Sequence, residues 1–447
     1  TMLNTAYVLA QSRRCGWTVL GPREVEVRGL GTDSRADLSG QVFLALVGES
    51  FDGHDFIDVA VSRGASALVV QRLQAPTIAR RFPDHLVVGV EDTLFALGSL
   101  AQACRDHDSR PLVAITGSAG KTSTRLALVQ AAEAAGFKVH ATPGNENNRI
   151  GVPRFLVNLP APREEASTPE ELIVVEVGTS EPGEIARLGA ITQPDVAVVV
   201  SVSAAHTECL LDEDGVAHEK GDLLRSSGRS AQWAVADSDP RLLQAASEGH
   251  RQLVSPNPAR LITTSWQGAP DHLKANGAKV LAVLEALGVE IDQKVIEASA
   301  YAAPLGRGGV IDVGLLRIMD DTYNANPASM KAALKAAAQQ AKERPLVVCL
   351  GEMRELGPAS ETLHREIAAE AADCGAVQIY LAGPYGAASE SIAREKGCQE
   401  VFLAADGADL QKELYRIPRN AFVLVKGSRG AKMERIVEAL QAQAGAY

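Results

Sequence analysis

Pro111-Leu112-Val113-Ala114-Ile115-Thr116-Gly117-Ser118-Ala119-Gly120-Lys121-Thr122-Ser123 runs from an apolar stretch, through a loop of small residues, into a lysine followed by two hydroxyls. The apolar stretch predicts a buried strand, and Thr124 to Ala135 predicts a helix behind it. Small residues between the two let successive backbone N–H groups turn toward one anion, and the helix start adds the positive end of a dipole. Lys121 is placed to neutralise terminal phosphates, and the Thr122 hydroxyl to ligate Mg²⁺. Gly117, Ser118, Ala119, Gly120, Lys121, Thr122 and Ser123 are therefore candidate nucleotide-binding residues. The general phosphate-loop pattern has a glycine five residues before Gly120, where Ile115 stands, so this is a shortened G-x-x-G-K-T-S form. The plainer alternative, a glycine turn with a solvated lysine, does not explain why both fall at a strand end. A phosphate loop alone does not separate kinases, motors, switches and ligases.

Outward from this stretch the pattern repeats. Leu172 to Val177 and Val196 to Val200 predict further buried strands with helices between them, which argues for a parallel α/β sheet. Upstream, Val42 to Leu46 and Ala67 to Val70 read as short strands, followed by an Ala/Leu-rich helix ending near Arg105. The polar run Arg105 to Arg110 reads as a linker. Downstream, strands are expected at Pro345 to Leu350, Gln378 to Leu381 and Ala421 to Val425. The expected division is residues 1–109, 110–305 and 306–447, three α/β domains. A chain of 447 residues, 46% of them hydrophobic, exceeds one typical core and suits this plan.

The net charge of -11 disfavours nucleic-acid binding and membrane-surface binding. The six cysteines are scattered with no C-x-x-C pair, so neither a disulfide framework nor a zinc site is expected. No run is long enough to span a bilayer and no leader pattern is visible. The expectation is a soluble, cytoplasmic monomer.

Several segments, in order, resemble the Mur ligases of peptidoglycan synthesis. They are the shortened loop; Gly144-Asn145-Glu146-Asn147-Asn148-Arg149-Ile150-Gly151-Val152-Pro153; Asp33-Ser34-Arg35 with Phe51-Asp52-Gly53-His54-Asp55-Phe56; Asp320-Asp321-Thr322-Tyr323-Asn324-Ala325-Asn326-Pro327-Ala328-Ser329; and Leu350 to Gly357 with Val425-Lys426-Gly427-Ser428-Arg429. Within the family the likeness is to the branch that adds D-alanyl-D-alanine to UDP-N-acetylmuramoyl-tripeptide. The resemblance implies an N-terminal UDP-sugar-binding domain, a central P-loop ATPase-type domain and a C-terminal Rossmann-like domain. It also implies ATP and Mg²⁺ as cofactors, an acyl phosphate intermediate, and ADP and phosphate as products. Rival readings are another amide ligase of this plan, acting on a different muramoyl peptide or on a folate, a nucleotide-dependent switch or motor, and a catalytically dead scaffold.

Glu176 ends an apolar strand, where a phosphate-loop enzyme needs a metal ligand; an ordinary strand-end glutamate is the alternative. By resemblance His206 holds a second Mg²⁺, although a single histidine after a strand is often structural. Lys220 matches the lysine that many Mur ligases carbamylate; unmodified, it would be expected on a solvated helix face. Lys121, Glu176, His206 and Lys220 form the implied catalytic set. His272, Asn276, Arg307 and Asp321 are implied nucleotide contacts, with Leu273 in place of the first asparagine of an H-N-x-x-N element. Ser34, Arg35, Gly53, His54, Phe56, Asn145, Asn147, Asn148, Asn324, Asn326 and Ser329 are implied substrate contacts. The resemblance also predicts extra strands between Trp266 and Asp271. Only Gln267 to Pro270 stand there, after an expected strand ending at Trp266, so the middle domain reads as trimmed unless residues are missing from this numbering.

Overall fold

The computed structural model describes residues 1–48, 50–162, 170–203, 212–228, 232–267, 269, 271–300 and 306–444. His206 lies outside them.

The apolar runs form three sheets. The first joins β1 (Thr18–Leu20), β2 (Leu30–Gly31), β3 (Val42–Leu44), β4 (Ala67–Gln71) and β5 (Leu86–Val90) in the order β1-β5-β4-β3-β2. Only β1 runs antiparallel to its neighbour. The second joins β6 (Leu112–Thr116), β7 (Lys138–Ala141), β8 (Glu171–Glu176), β9 (Val196–Val199), β10 (Trp233–Val235) and β11 (Gln252–Leu253), all parallel, in the order β11-β10-β9-β6-β8-β7. The third joins β12 (Gly309–Val313), β13 (Leu316–Asp321), β14 (Leu346–Leu350), β15 (Ala376–Ala382), β16 (Glu400–Ala404) and β17 (Phe422–Lys426) in the order β12-β13-β17-β14-β15-β16. There only the β12–β13 hairpin is antiparallel. Strands buried on both faces read as continuous apolar runs, which is why β6, β8, β9, β14 and β17 were legible.

In the second sheet the chain winds from β6 out to β7 and back to β8, then crosses to the other side of β6 to lay down β9. The loop after β6 therefore leaves at the point where the winding reverses, with the ends of β8 and β9 on either side. Ligands bind in that crevice in open α/β sheets.

The first and second sheets share one apolar core. Val42, Val69 and Val88 belong to the same cluster as Leu112, Ala114, Ile173 and Ala197, and helix Thr93–Asp106 contributes Leu97, Leu100 and Ala101 to it. The third sheet has its own clusters, centred on Leu334, Val348, Ile379 and Leu424 on one face and on Tyr380, Val423 and Ile436 on the other.

The run Arg105 to Arg110 leads from helix Thr93–Asp106 into β6, with Arg105, Asp108 and Arg110 buried. Arg105 is buried and donates to the carbonyls of Thr192, Asp108 and Arg110 at 2.8, 2.9 and 2.9 Å, and to Asp195 at 3.0 Å. Arg110 pairs with Asp108 and Glu171, each at 2.7 Å. Polar composition concealed a joint whose charges satisfy one another. One expectation is corrected: no strand ends at Trp266, where Thr264–Trp266 is a single 3-10 turn. Its function is packing. The indole donates to the Ile296 carbonyl at 3.1 Å, and its ring lies so close to Gly277 that a Cβ there would come within 2.3 Å of it. Helix Asp271–Ala286 is thereby docked against the second sheet's core, together with Val280 and Leu284.

Candidate active site

Thr116 ends β6, and Gly120 opens the helix Lys121–Ala134 with φ +78°. Glycine is required there twice over: the backbone is left-handed, and a Cβ would press on Asn276 and Val200 at 3.0 Å. The loop is stapled to the segment after β9. Ser118 N–H donates to the Ser201 carbonyl at 2.9 Å, Ala119 N–H to the Ser201 hydroxyl at 3.0 Å, and the Ser118 hydroxyl to the Ser203 carbonyl at 3.0 Å. Lys121 turns its ammonium back onto the Gly117 carbonyl at 2.6 Å. Burial, and behind it the neighbouring Arg307, push its pKa below the ordinary lysine value, against the opposing pull of Glu176.

Glu176, at the end of β8, accepts from the Thr122 hydroxyl at 2.8 Å, from Asn147 at 2.9 Å and from Arg125 at 3.3 Å. Arg125 is one helical turn after Lys121 and also donates to the Thr142 carbonyl at 2.7 Å. Glu176 and Arg125 together thus tie the loop helix to the end of β7 and to the asparagine-rich turn. Asn148 accepts from the N–H groups of Ile150 and Gly151 at the entry to helix Gly151–Asn158.

Lys220 sits on helix Glu213–Arg225 and is fully buried, and its Nζ has no hydrogen-bond partner. Desolvation, reinforced by the charge of Lys121, holds its pKa well below the ordinary value. The expectation of a solvated face for an unmodified Lys220 is therefore overturned. The adjacent Glu219 accepts from the N–H groups of Gly183 and Ile185 at 2.7 and 2.9 Å, clamping this helix to the start of helix Glu184–Thr192.

The third sheet closes the site from the opposite side. Asp321, at the end of β13, pairs at 2.6 Å with Lys426, at the end of β17, and Lys426 also donates to the Asn324 carbonyl at 2.8 Å. Arg307 stacks over the Tyr323 ring with its guanidinium carbon 3.8 Å from the centroid. Asn326 caps helix Pro327–Ala341 in a reciprocal box with Ser329, and its amide donates to the Ser118 carbonyl at 2.8 Å.

Many of these residues surround one cavity of about 740 Å³, though Gly117, Arg125, Glu219 and Lys220 are not among those that line it. Ser118, Ala119, Gly120, Lys121, Thr122, Ser123, Asn145, Asn147, Asn148, Glu176, His272, Asn276, Arg307, Asp321, Asn324, Asn326 and Ser329 all line it. Burial lowers the pKa of His272 there. Ser34, Arg35, Gly53, His54 and Phe56 do not line it. Arg35 is exposed and grips Asp33 with two hydrogen bonds at 2.9 Å, holding the Asp33 pKa at about 2. His54 is buried, with Nδ1 on Asp52 at 2.5 Å and Nε2 accepting from the Gln71 N–H at 2.9 Å. Gly53 lies too close to the Leu46 backbone to admit a Cβ. Phe56 is largely exposed.

Sequence reasoning passed over Ser201, Arg125, Glu219 and Lys426. Lys426 carried a usable signal, since it ends an apolar strand as Glu176 does. Ser201 carried none, because the staple depends on β9 lying beside β6.

Three domain descriptions match the chain: the Mur ligase family catalytic domain over residues 26–105, the Mur ligase middle domain over 115–286, and the Mur ligase glutamate ligase domain over 306–429. A curated relative in Escherichia coli (strain K12), UDP-N-acetylmuramoyl-tripeptide–D-alanyl-D-alanine ligase, is 32% identical, with 94% of each sequence covered. The chain belongs to the Mur ligase family. Among solved structures, MurF from Acinetobacter baumannii superposes with TM-score 0.82 at 26% identity, covering 97% of this chain and 98% of that one. MurF ligase from Thermotoga maritima in complex with ADP superposes with TM-score 0.77 at 26% identity, covering 94% and 98%. The α/β plan of three Mur ligase domains is therefore that of this chain.

Proposed function

We propose that this Mur ligase joins D-alanyl-D-alanine to UDP-N-acetylmuramoyl-tripeptide at the expense of ATP. The observation that carries the reading is the single cavity faced by the phosphate loop on one side and by Asp321, Lys426 and Asn324 on the other. A carboxylate is a poor acyl donor until its oxygen leaves as phosphate. The tripeptide carboxylate attacks the γ-phosphorus, the bond to the β-bridging oxygen breaks, and ADP departs. The dipeptide amine then attacks the acyl carbon, and phosphate leaves as the nitrogen loses its proton. The chain's task is to align two anions and shield their charge. Lys121 and the N–H groups of residues 120–123 take the phosphates. Arg307, Asp321, His272 and Asn276 hold the nucleotide as the third domain closes and excludes water.

Oxygen donors already converge where a hard cation belongs: the Thr122 hydroxyl and Glu176 carboxylate are 2.8 Å apart. Among the described residues no three His, Cys, Asp or Glu side chains cluster for a metal. Lys220 supplies the missing anion once its neutral amine attacks CO₂, forming an N–C bond, shedding a proton and leaving a carbamate. Its burial without a partner supports that assignment. Thr122, Glu176, the Lys220 carbamate and His206 would hold Mg²⁺, which shields phosphate charge when bound.

Asn145, Asn147, Asn148, Asn324 and Ser329 are assigned to the acyl and dipeptide substrates. Ser34, Arg35, Gly53 and Phe56, with His54 holding their turn, are assigned to the UDP-sugar. The domains are assigned to residues 1–109, 110–305 and 306–447. No described helix is long and apolar enough to cross a membrane. We assign the enzyme to the cytoplasm as a monomer that binds no nucleic acid.

The test is phosphate release from ATP and Mg²⁺ with UDP-muramoyl-tripeptide and a panel of amines. Release that requires D-alanyl-D-alanine is expected. Release driven better by another amino acid, or by another acyl acceptor, would move the chain to a different amide ligase. Release indifferent to every amine would make it a nucleotide-dependent switch.

A further inference from the structure

We propose that Asn326 is a positioning residue that hooks the third domain onto the phosphate loop, so that closure of the cavity fixes the loop in its nucleotide-holding shape. The inference rests on the nucleotide reading of the cavity. It replaces the idea that Asn326 reads the dipeptide.

The carboxamide is committed at both ends. Its Oδ1 accepts from Ser329 N–H at 2.9 Å, and its Nδ2 donates to the Ser118 carbonyl at 2.8 Å. A backbone N–H can only donate and a carbonyl can only accept, so these two partners fix which end of the amide faces which. Both residues are buried, Asn326 at 7% exposure and Ser118 at 4%. Among the described residues this is the only hydrogen bond between residues 110–300 and residues 306–444. Neither the Lys426–Asp321 pair nor the Arg307–Tyr323 stack crosses that divide.

Ser118 is the loop residue best placed to be pulled. Its N–H and hydroxyl are held by Ser201 and Ser203 beyond β9. The Asn326 amide takes the remaining carbonyl. The peptide between Ser118 and Ala119 is thereby oriented from both sides, with its oxygen turned to the third domain. Opening removes one of those anchors and leaves a carbonyl oxygen free to face incoming phosphate. Closing restores the anchor through a residue that also starts a helix of the third domain, so the loop registers the position of that whole domain.

The experiment uses Asn326→Ser and Asn326→Asp in the full chain. Both residues are good helix caps, so helix Pro327–Ala341 keeps its start. Serine is too short to reach Ser118, and aspartate sets a carboxylate against a carbonyl. Dyes on the exposed Leu253 and Tyr415 report domain separation by single-molecule energy transfer. Without nucleotide, both variants should shift the population toward larger separation, Asn326→Asp more than Asn326→Ser. Calorimetric ADP affinity should fall about five- to tenfold, the size of one buried hydrogen bond. The KM for D-alanyl-D-alanine at saturating ATP should stay within twofold of wild type, about the scatter expected for a residue that makes no substrate contact. Unchanged separation in Asn326→Ser would overturn the hook. So would a raised dipeptide KM with ADP affinity intact. Wild-type protein that fails to bind ADP would instead sink the nucleotide reading, while the separation measurement would still decide the hook.

Discussion

Lys220 costs the fold stability. A fully buried amine without a partner forfeits on the order of 1–3 kcal/mol of hydration. Its folded pKa lies below the ordinary 10.5, so between the two values the unfolded chain carries the extra proton. In CO₂-free buffer, stability should therefore rise as pH climbs through that window. Lys220→Met should abolish ligation, flatten this pH dependence and raise stability by about 1–3 kcal/mol, measured by urea unfolding. A Lys220→Met protein less stable than the CO₂-free wild type would show that the amine is satisfied in solution. The residue scale was legible unevenly. Glu176 could be picked out because a carboxylate ending an apolar strand is an anomaly with a function. Lys220 could not be placed inside from its neighbours, because Glu213-Asp214-Gly215-Val216-Ala217-His218-Glu219-Lys220 reads as a polar helix. Its burial follows from helix Glu213–Arg225 being clamped by Glu219, a carboxylate whose partners lie more than thirty residues upstream.

At the scale of elements, the site is the meeting of strand ends with one helix, and Arg125 fastens them. Its guanidinium reaches Glu176 on β8 and the carbonyl of Thr142 just past β7, from within the loop helix. Arg125 and Glu176 are both buried. Removing one partner of a buried pair typically costs about 3–5 kcal/mol. Glu176 would keep Thr122 and Asn147 as donors, so Arg125→Met should cost about 3 kcal/mol, near the lower end of that range. It should also lower turnover by loosening the 142–148 turn. A loss below about 0.5 kcal/mol in urea unfolding, the size of an ordinary surface change, would show that the pair contributes nothing net. Element positions were legible where burial was two-sided, as at β6, β9 and β14. They failed where tertiary packing decided the outcome. The run before Trp266 looks like a strand, yet the indole's fit against Gly277 makes it a turn. Nor could the polar run Arg105 to Arg110 show that its charges pair with residues about sixty to ninety positions away.

At the scale of the molecule, two kinds of domain contact coexist, and each predicts a different behaviour. The UDP-sugar residues assigned on the first sheet stand outside the cavity, so their loss should be felt by one substrate only. Arg35 is exposed and pairs with Asp33 at the surface, a contact of little worth to stability. Arg35→Ala should raise the KM for the UDP-substrate about tenfold or more, leaving ADP affinity and melting temperature unchanged. An equal fall in ADP affinity would merge the two sites. The first and second sheets share an apolar core through helix Thr93–Asp106 and the buried charges after it. The third sheet has separate clusters and meets the second across the cavity, bridged among the described residues by one hydrogen bond. Cooperative unfolding follows shared cores, because exposing half of a core destabilises the other half, whereas a wet interface transmits little. Scanning calorimetry without nucleotide should therefore show two transitions: one for the first and second domains together, one for the third. On the proposed assignment ADP touches both sides of the cavity and binds only the folded protein, so saturating ADP at about a hundred times its Kd should add about 2.7 kcal/mol and draw the two transitions together. Three resolved transitions would mean that the core shared by the first two sheets does not couple them. A single transition before ADP is added would mean that the third domain is coupled through more than the polar bridge.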